Sequence, residues 1–279
     1  MSSELRIDEI GYWSEVKLSI LEEYARPYNL ILRSKNFHPI YIDAFAGAGH
    51  HKAKDSDRLI EGSPTRAMSV EPPFESLHFI DSDIERVKRL KQLASDRRNV
   101  TVHHGDCNDV LVSKIFPTIS YANRQRALCI LDPYGLHLNW EIMRLAGESK
   151  VIEIFLNFPV MDMNMNVFWH DYHGVSPTQQ ERMTKFWGDD SWKEAAYETV
   201  PGLFGDMFER TSNDIVAEAF RKRLKTVAGF EYVPAPMPMR NSKGATVYYL
   251  FFAAQTAPAD KIVRDIFRKY EHYGEDENG

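Results

Sequence analysis

The sequence predicts an α/β protein on an open, mostly parallel sheet, and three observations carry that prediction. Apolar runs of strand length alternate with stretches of helical period between residues 39 and 156. Each of the first four runs ends on an aspartate: Asp43, Asp81, Asp106 after Gly105, and Asp132. The last apolar run lies close behind another strand-like segment, as an antiparallel hairpin requires.

The elements follow in order. From Ser14 to Arg33 the apolar residues Val16, Leu18, Ile20, Leu21, Tyr24, Ile31 and Leu32 recur at roughly helical spacing. Pro27 predicts a break there, or the start of a second helix, so N-terminal helices occupy residues 1–38. Pro39 to Phe45 reads as a buried strand entering a glycine-rich turn. The polar stretch from His50 to Glu61 reads as a loop, and Ser63-Pro64 starts a helix through Val70. Leu77–Ile80, Val100–His104, Ala127–Leu131 and Val151–Leu156 are the next strands, with an amphipathic helix over Asp83–Leu93. Residues 161–227 read as a helical insertion or cap. Phe230–Val233 and Thr246–Ala254 form the hairpin, around a loop with Asn241-Ser242-Lys243-Gly244, and the acidic tail at Glu275-Asp276-Glu277 reads as solvated. The whole chain, 1–279, is one domain.

Composition bounds the function classes. With 34 Lys+Arg against 40 Asp+Glu, the net charge is −6, which gives no general pull toward nucleic acid. Cys107 and Cys129 make no metal spacing and no disulfide framework, and point to a reducing compartment. The N-terminus has no signal-peptide pattern, and no apolar run reaches membrane-spanning length. A cytoplasmic protein is expected. The histidine pairs His50/His51, His103/His104 and His170/His173 lack an HExxH or Cys/His companion, so no structural metal is expected.

Ligands of open parallel sheets sit beyond the carboxyl ends of the strands, so those ends are read together. The first gives Asp43-Ala44-Phe45-Ala46-Gly47-Ala48-Gly49, where glycines two apart permit a tight turn and close ligand approach. Asp81, with Ser82 and Asp83 after it, is placed to accept hydrogen bonds from ribose hydroxyls. Asp106, before Cys107, can accept from an adenine amino group. The fourth end is Asp132-Pro133-Tyr134-Gly135. Plainer readings stand beside these: turn glycines at Gly47 and Gly49, and helix caps at Asp83, Asp106 and Asp132.

The Asp43–Gly49 segment resembles the first motif of class I S-adenosylmethionine-dependent methyltransferases. Asp132-Pro133-Tyr134 is similar to the D/N-P-P-Y/F motif of enzymes that methylate exocyclic amino groups. The chain as a whole resembles the bacterial three-Cys-motif partner proteins, a methyltransferase-like family. The resemblance rests on Trp13, Lys17-Leu18 and Tyr24, on Asp43–Gly49, on Gly62-Ser63-Pro64, on Asp132–Gly135 and on Tyr248–Ala253. It implies a Rossmann-like class I methyltransferase fold, with a mostly parallel seven-stranded sheet, a C-terminal antiparallel hairpin and a helical insertion. It also implies S-adenosylmethionine as cofactor, held by Asp43, Phe45, Ala46, Gly47, Gly49, Asp81, Ser82, Asp106, Cys107 and Asp132. The catalytic residues it implies are Asp132, Pro133 and Tyr134. Asp132 and the Pro133 carbonyl would accept the N–H groups of an amino nucleophile, and Tyr134 would stack on a flat, nucleobase-like substrate. Two departures accompany the resemblance. Tyr134 stands one place early, where the pattern has a second proline, and the His50–Glu61 stretch delays the first helix.

The alternative reading is a non-catalytic methyltransferase-like protein that assembles with a protein partner. A nicotinamide dehydrogenase is disfavoured, because Lys52 occupies the third-glycine position counted from Gly47. Basic clusters at Arg86, Lys88, Arg89, Lys91, Arg97 and Arg98 and at Arg221, Lys222, Arg223 and Lys225 offer nucleic-acid contacts or solvated helix faces. The aromatics Phe168, Trp169, Tyr172, Phe186, Trp187 and Trp192 read first as helical core and second as a substrate pocket.

Overall fold

The computed structural model describes residues 9–54, 57–169, 174–202, 205–241 and 244–271. His170, Tyr172, His173, Ser242, Lys243 and the acidic tail lie outside the described residues. The chain opens with β1 (Glu9–Ile10), α1 (Tyr12–Ser34) and β2 (His38–Asp43). A small sheet element follows, β3 (His50–Ala53) with β4 (Leu59–Glu61), then α2 (Ser63–Met68). Alternation continues through β5 (Ser76–Asp81), α3 (Ile84–Leu93), β6 (Val100–His104), α4 (Cys107–Val110), β7 (Gln125–Leu131), α5 (Trp140–Ser149) and β8 (Ile152–Phe158). The insertion holds α6 (Val160–Asn166), α7 (Pro177–Trp187), α8 (Trp192–Ala196), β9 (Tyr197–Gly202), β10 (Gly205–Arg210) and α9 (Asn213–Thr226). The chain closes with β11 (Met237–Arg240), β12 (Thr246–Ala253) and α10 (Ala257–Glu271).

The main sheet has seven strands in the order β11-β12-β8-β7-β2-β5-β6. The five strands read from the sequence pair in parallel, β12 runs against β8, and β11 runs against β12. Both faces are buried, so strand residues split by parity. Ile40, Ile42, Cys129, Leu131, Ile154 and Leu156 pack under α5 and the insertion. Tyr41, Phe79, Leu128, Ile130, Phe155 and Phe252 pack under α1 and α10. This two-sided burial is why the strands read as continuous apolar runs. From β2 the chain winds outward to β5 and β6, then returns to β7 and winds the other way. The switch point lies between β2 and β7. Among the described residues, no helix is long and apolar enough to cross a membrane.

Four local expectations are corrected. Pro27 neither ends nor restarts a helix, because α1 runs unbroken through it. Its missing amide forfeits one backbone bond, and the burial of Tyr24, Ala25, Tyr28 and Asn29 around it outweighs that loss. The His50–Glu61 loop is a hairpin, joined in parallel by β1; Ala53 and Ile60 anchor it in a small cluster with Leu18. The insertion is not all helical, since β9 and β10 pair antiparallel within it. The first strand of the closing hairpin is Met237–Arg240 rather than Phe230–Val233. Tyr232 makes a single bridge to Ala254, and Pro234 and Pro236 then interrupt pairing until β11.

Glu153 of β8 is tied to α1 by the Tyr24 hydroxyl, which donates to Oε2 at 2.5 Å. Burial pushes its carboxyl up to about 7, against the opposing pull of the Tyr24 hydrogen bond and Arg126. The native state therefore holds a proton that the unfolded chain releases above about 4.5, so this group's contribution falls as pH rises from there through about 7. Glu153→Gln removes the slope. Denaturant unfolding at about pH 5 and about pH 8 should show the variant gaining on wild type by on the order of 2 kcal/mol at the higher pH.

Candidate functional site

The carboxyl ends of β2, β5, β6 and β7 enclose a cleft of about 280 Å³. It is lined by Ala44 and Phe45 after β2, Asp81 and Ser82 after β5, and Gly105, Asp106 and Cys107 after β6. Arg86 of α3 and Tyr134 and His137 after β7 complete it. The structure thus brings Phe45, Asp81, Ser82, Asp106, Cys107 and Tyr134 around one space. His137 is not among the sequence candidates, and Arg86 is there only as a member of a basic helix cluster.

Asp81 organises the first two turns. One carboxylate oxygen accepts from the Gly47 amide at 2.9 Å, the other from the Asp83 amide at 2.8 Å. A carboxylate has about four acceptor sites, so each oxygen keeps a lone pair. Arg86 Nη1 stands 3.8 Å from Oδ2 and balances the charge. Asp83 is the cap of α3, accepting from the Glu85 and Arg86 amides. The Gly47 turn is left-handed, with φ +65°, and a methyl built there meets no atom within 4 Å. The space in front of Gly47 is therefore open to a ligand.

Gly49 does a different job. Its φ is +82°, and an added methyl would lie 2.7 Å from Leu93 Cδ1. Its carbonyl accepts from the Gly62 amide at 2.9 Å and from Thr65 Oγ1 at 2.7 Å, which pins the turn to the start of α2. Asp43 and Ala46 are buried rather than in the cleft lining. Asp43 accepts from Ser63 Oγ at 2.5 Å and from the Phe45 amide at 3.2 Å. Burial pushes its carboxyl up to about 6 despite those bonds, and neighbouring Asp132 adds to the rise.

On the far side, Asp106 caps α4, with one oxygen accepting from the Asn108 amide at 2.7 Å. Asn108 Nδ2 also donates to the His137 carbonyl at 3.0 Å, tying the β6 turn to the loop after β7. Burial, with Asp106 beside it, pushes the Cys107 thiol up to about 12, so it is no nucleophile.

Asp132 caps no helix, because α5 starts at Trp140 with Asn139 as its cap. It is an ion-pair partner instead. Oδ2 receives the Lys17 ammonium from α1, and Oδ1 accepts from Asn157 Nδ2 at 2.8 Å. Lys17 is only 8% exposed, and its ammonium lies 5.5 Å from the centroid of the Tyr248 ring. Burial alone would lower its pKa; the Asp132 carboxylate more than reverses this and holds it above the ordinary range. Tyr134 is 66% exposed at the mouth of the cleft. Of Asp132, Pro133 and Tyr134, only Tyr134 lines the cavity.

The remaining sequence candidates divide between packing and exposed surface. Phe168, Phe186, Trp187 and Trp192 are core residues, whereas Trp169 is exposed. Arg221 and Arg223 are bound to the carbonyls of Val233 and Trp187 and to Glu218 and Asp189. His78 and His103, on adjacent strands, stack with ring nitrogens 3.1 Å apart. Among the described residues, no group of three or more His, Cys, Asp or Glu side chains is arranged to hold a metal.

No family model matches the chain, and no curated relative does. Solved structures do. Protein LPL1258 from Legionella pneumophila matches 95% of this chain and 94% of its own length, at 11% identity and a TM-score of 0.50. The methyltransferase domain of bacterial CtHen1 covers 84% of this chain and 99% of itself, at 12% identity and a TM-score of 0.41. A proposed S-adenosylmethionine-dependent methyltransferase from Listeria monocytogenes covers 85% and 99%, at 12% identity and a TM-score of 0.40. Likeness at this level of identity concerns the fold alone, a mostly parallel seven-stranded sheet with flanking helices.

The two glycines should respond differently to alanine. Gly47→Ala meets only left-handed strain and should cost about 1 kcal/mol. Gly49→Ala adds overpacking against Leu93 and should cost about 3 kcal/mol. Chemical denaturation of the two variants measures the difference.

Proposed function

We propose that the protein binds S-adenosylmethionine in the cleft beyond β2, β5, β6 and β7 and transfers its methyl group to an amino nitrogen of a nucleobase or base-like substrate. The observation that carries this reading is the convergence of Asp81, Asp106, Phe45 and Tyr134 on one cavity, with open space before Gly47, whose amide bonds to Asp81. S-adenosylmethionine supplies an electrophilic methyl group on a sulfonium centre. The lone pairs left on Asp81 suit ribose hydroxyls, Asp106 suits an amino-bearing ring, and Phe45 and Tyr134 offer flat apolar surface beside it.

The work of this chain is then alignment and exclusion of water, and positioning of this kind supplies roughly 7–11 kcal/mol in well-oriented reactions. Asp132, at the end of β7, accepts an N–H of the incoming amine and draws its lone pair out of ring conjugation. Asn157 and Lys17 hold the carboxylate in one orientation while it does so. Tyr134, exposed at the cleft mouth, stacks on the acceptor.

A second reading has a specific observation in its favour. Both oxygens of Asp132 already have protein partners, and Tyr134 stands one place early, as suits a retained fold that serves assembly with a protein partner. The substrate class, the partner and a cytoplasmic location belong to the proposal.

Calorimetric titration with S-adenosylmethionine and S-adenosylhomocysteine tests the cofactor site. Wild type should bind in the micromolar range, and Asp81→Asn, which keeps the shape but removes the charge, should bind at least tenfold more weakly, about 1.4 kcal/mol. Folded wild-type protein that binds neither ligand contradicts the proposal. Transfer of labelled methyl to RNA, DNA or protein pools then separates enzyme from partner: incorporation lost in Asp132→Asn supports the enzyme, and none in any pool supports the partner.

A further inference from the structure

Three charges meet at the switch point, two of them buried and the third, Asp132, with its side chain 33% exposed. Asp43 is 1% exposed at the end of β2, Lys17 is 8% exposed on α1, and Asp132 ends β7. Lys17 and Asp132 are in direct contact, and Asp43 interacts electrostatically with both. Tyr134 and Tyr248 face the same ammonium, and Tyr41 faces the two carboxylates. With both carboxylates ionised the cluster carries one net negative charge. Lys17 comes from outside the strand ends, 115 residues before its partner, and reaches the switch point from α1.

The two ligands of the proposed reaction differ by one positive charge, since the donor is a sulfonium and its product a neutral thioether. The charge of a partly buried cluster beside a binding site biases how strongly a protein separates such a pair. We propose that Lys17 is a positioning and specificity residue that sets the balance between donor and product: its ammonium cancels the Asp132 carboxylate and fixes its orientation, leaving Asp43 as the unbalanced anion. This inference rests on the cofactor reading above. Asn157 supports the arrangement by spending its amide N–H on Asp132; its own Oδ1 is buried with no hydrogen-bond partner. That geometry is consistent with an amide oriented by Asp132 rather than by its own acceptor.

The test is the ratio of S-adenosylhomocysteine to S-adenosylmethionine dissociation constants, measured by calorimetry at about pH 8.5, where Asp43 stays ionised. Lys17→Met leaves Asp132 unbalanced and should shift the ratio toward the cationic donor on the order of tenfold. Asp132→Asn leaves Lys17 facing Asp43 alone, a neutral cluster, and should shift it the other way by a similar factor. The double variant Lys17→Met/Asp132→Asn should return close to wild type, and Lys17→Arg should stay within about twofold. A purely structural role for Lys17 would not produce opposite shifts that cancel. Should Lys17→Met fail to fold, Asp132→Asn compared with the double variant reads the same charge step. Ratios that stay put, or move in one direction in both single variants, overturn this inference while leaving the cofactor reading intact. Wild-type protein that binds neither ligand overturns the cofactor reading and this inference with it.

Discussion

The ion pair between Lys17 and Asp132 joins an outer helix to the point where the strand order reverses, beside the cleft that Tyr134 lines. Parallel sheets of this topology open a crevice between the two central strands, here β2 and β7. This chain places a carboxylate at the end of each. A buried anion and a half-buried one in the same crevice repel, and the chain relieves that in two ways. Asp43 is bonded to Ser63 and to backbone, with its carboxyl pushed up to about 6, while Asp132 is given a cation. The cation must be held firmly to be worth its own desolvation. Long burial of α1 against the sheet, through Tyr24, Tyr28 and Val16, provides that anchorage.

From this constraint the division of labour in the cleft follows. The turn after β2 is split between a glycine facing open space and a glycine wedged against α2 and α3. Asp81 serves as the hinge between that turn and α3, and Asn108 does the same between the β6 turn and the loop after β7. The insertion from α6 to α9 covers one sheet face with Phe168, Phe186, Trp187, Trp192 and Phe220, and its Arg221 and Arg223 are taken up by carbonyls and acids. That leaves the cleft, rather than the insertion's charged or aromatic groups, as the chemically equipped part of the molecule.

The main sheet was legible because its strands are short, apolar and punctuated by aspartates whose side chains bond to the turns that follow. Asp43, Asp81 and Asp106 all do so, and Asp83 caps as its position suggests. What escaped sequence reading depends on tertiary partners. Lys17 sits among the apolar residues of an amphipathic helix, and nothing local distinguishes it from a solvated lysine; its meaning is set by Asp132, 115 residues away. Asn157 lies one place before the end of an apolar strand and reads as an ordinary polar interruption. Pro27 misled because propensity is local, whereas the packing that carries α1 through it is not. The β3–β4 hairpin was hidden because only Ala53 and Ile60 are apolar and buried in it. Phe230 and Val233 look like strand residues because they are core residues, and the two following prolines were the unread signal that pairing starts later.

The central claim is that the ligand sits beyond the carboxyl ends of β2, β5, β6 and β7. Amide hydrogen exchange with and without S-adenosylhomocysteine tests it most directly, because it locates the contact without a known acceptor substrate. The account predicts added protection in residues 44–49, 81–86, 105–109 and 132–137, with none at the groove between Pro234–Pro238 and α10. Protection confined to that groove, or no change at the four strand ends with ligand bound, would contradict it.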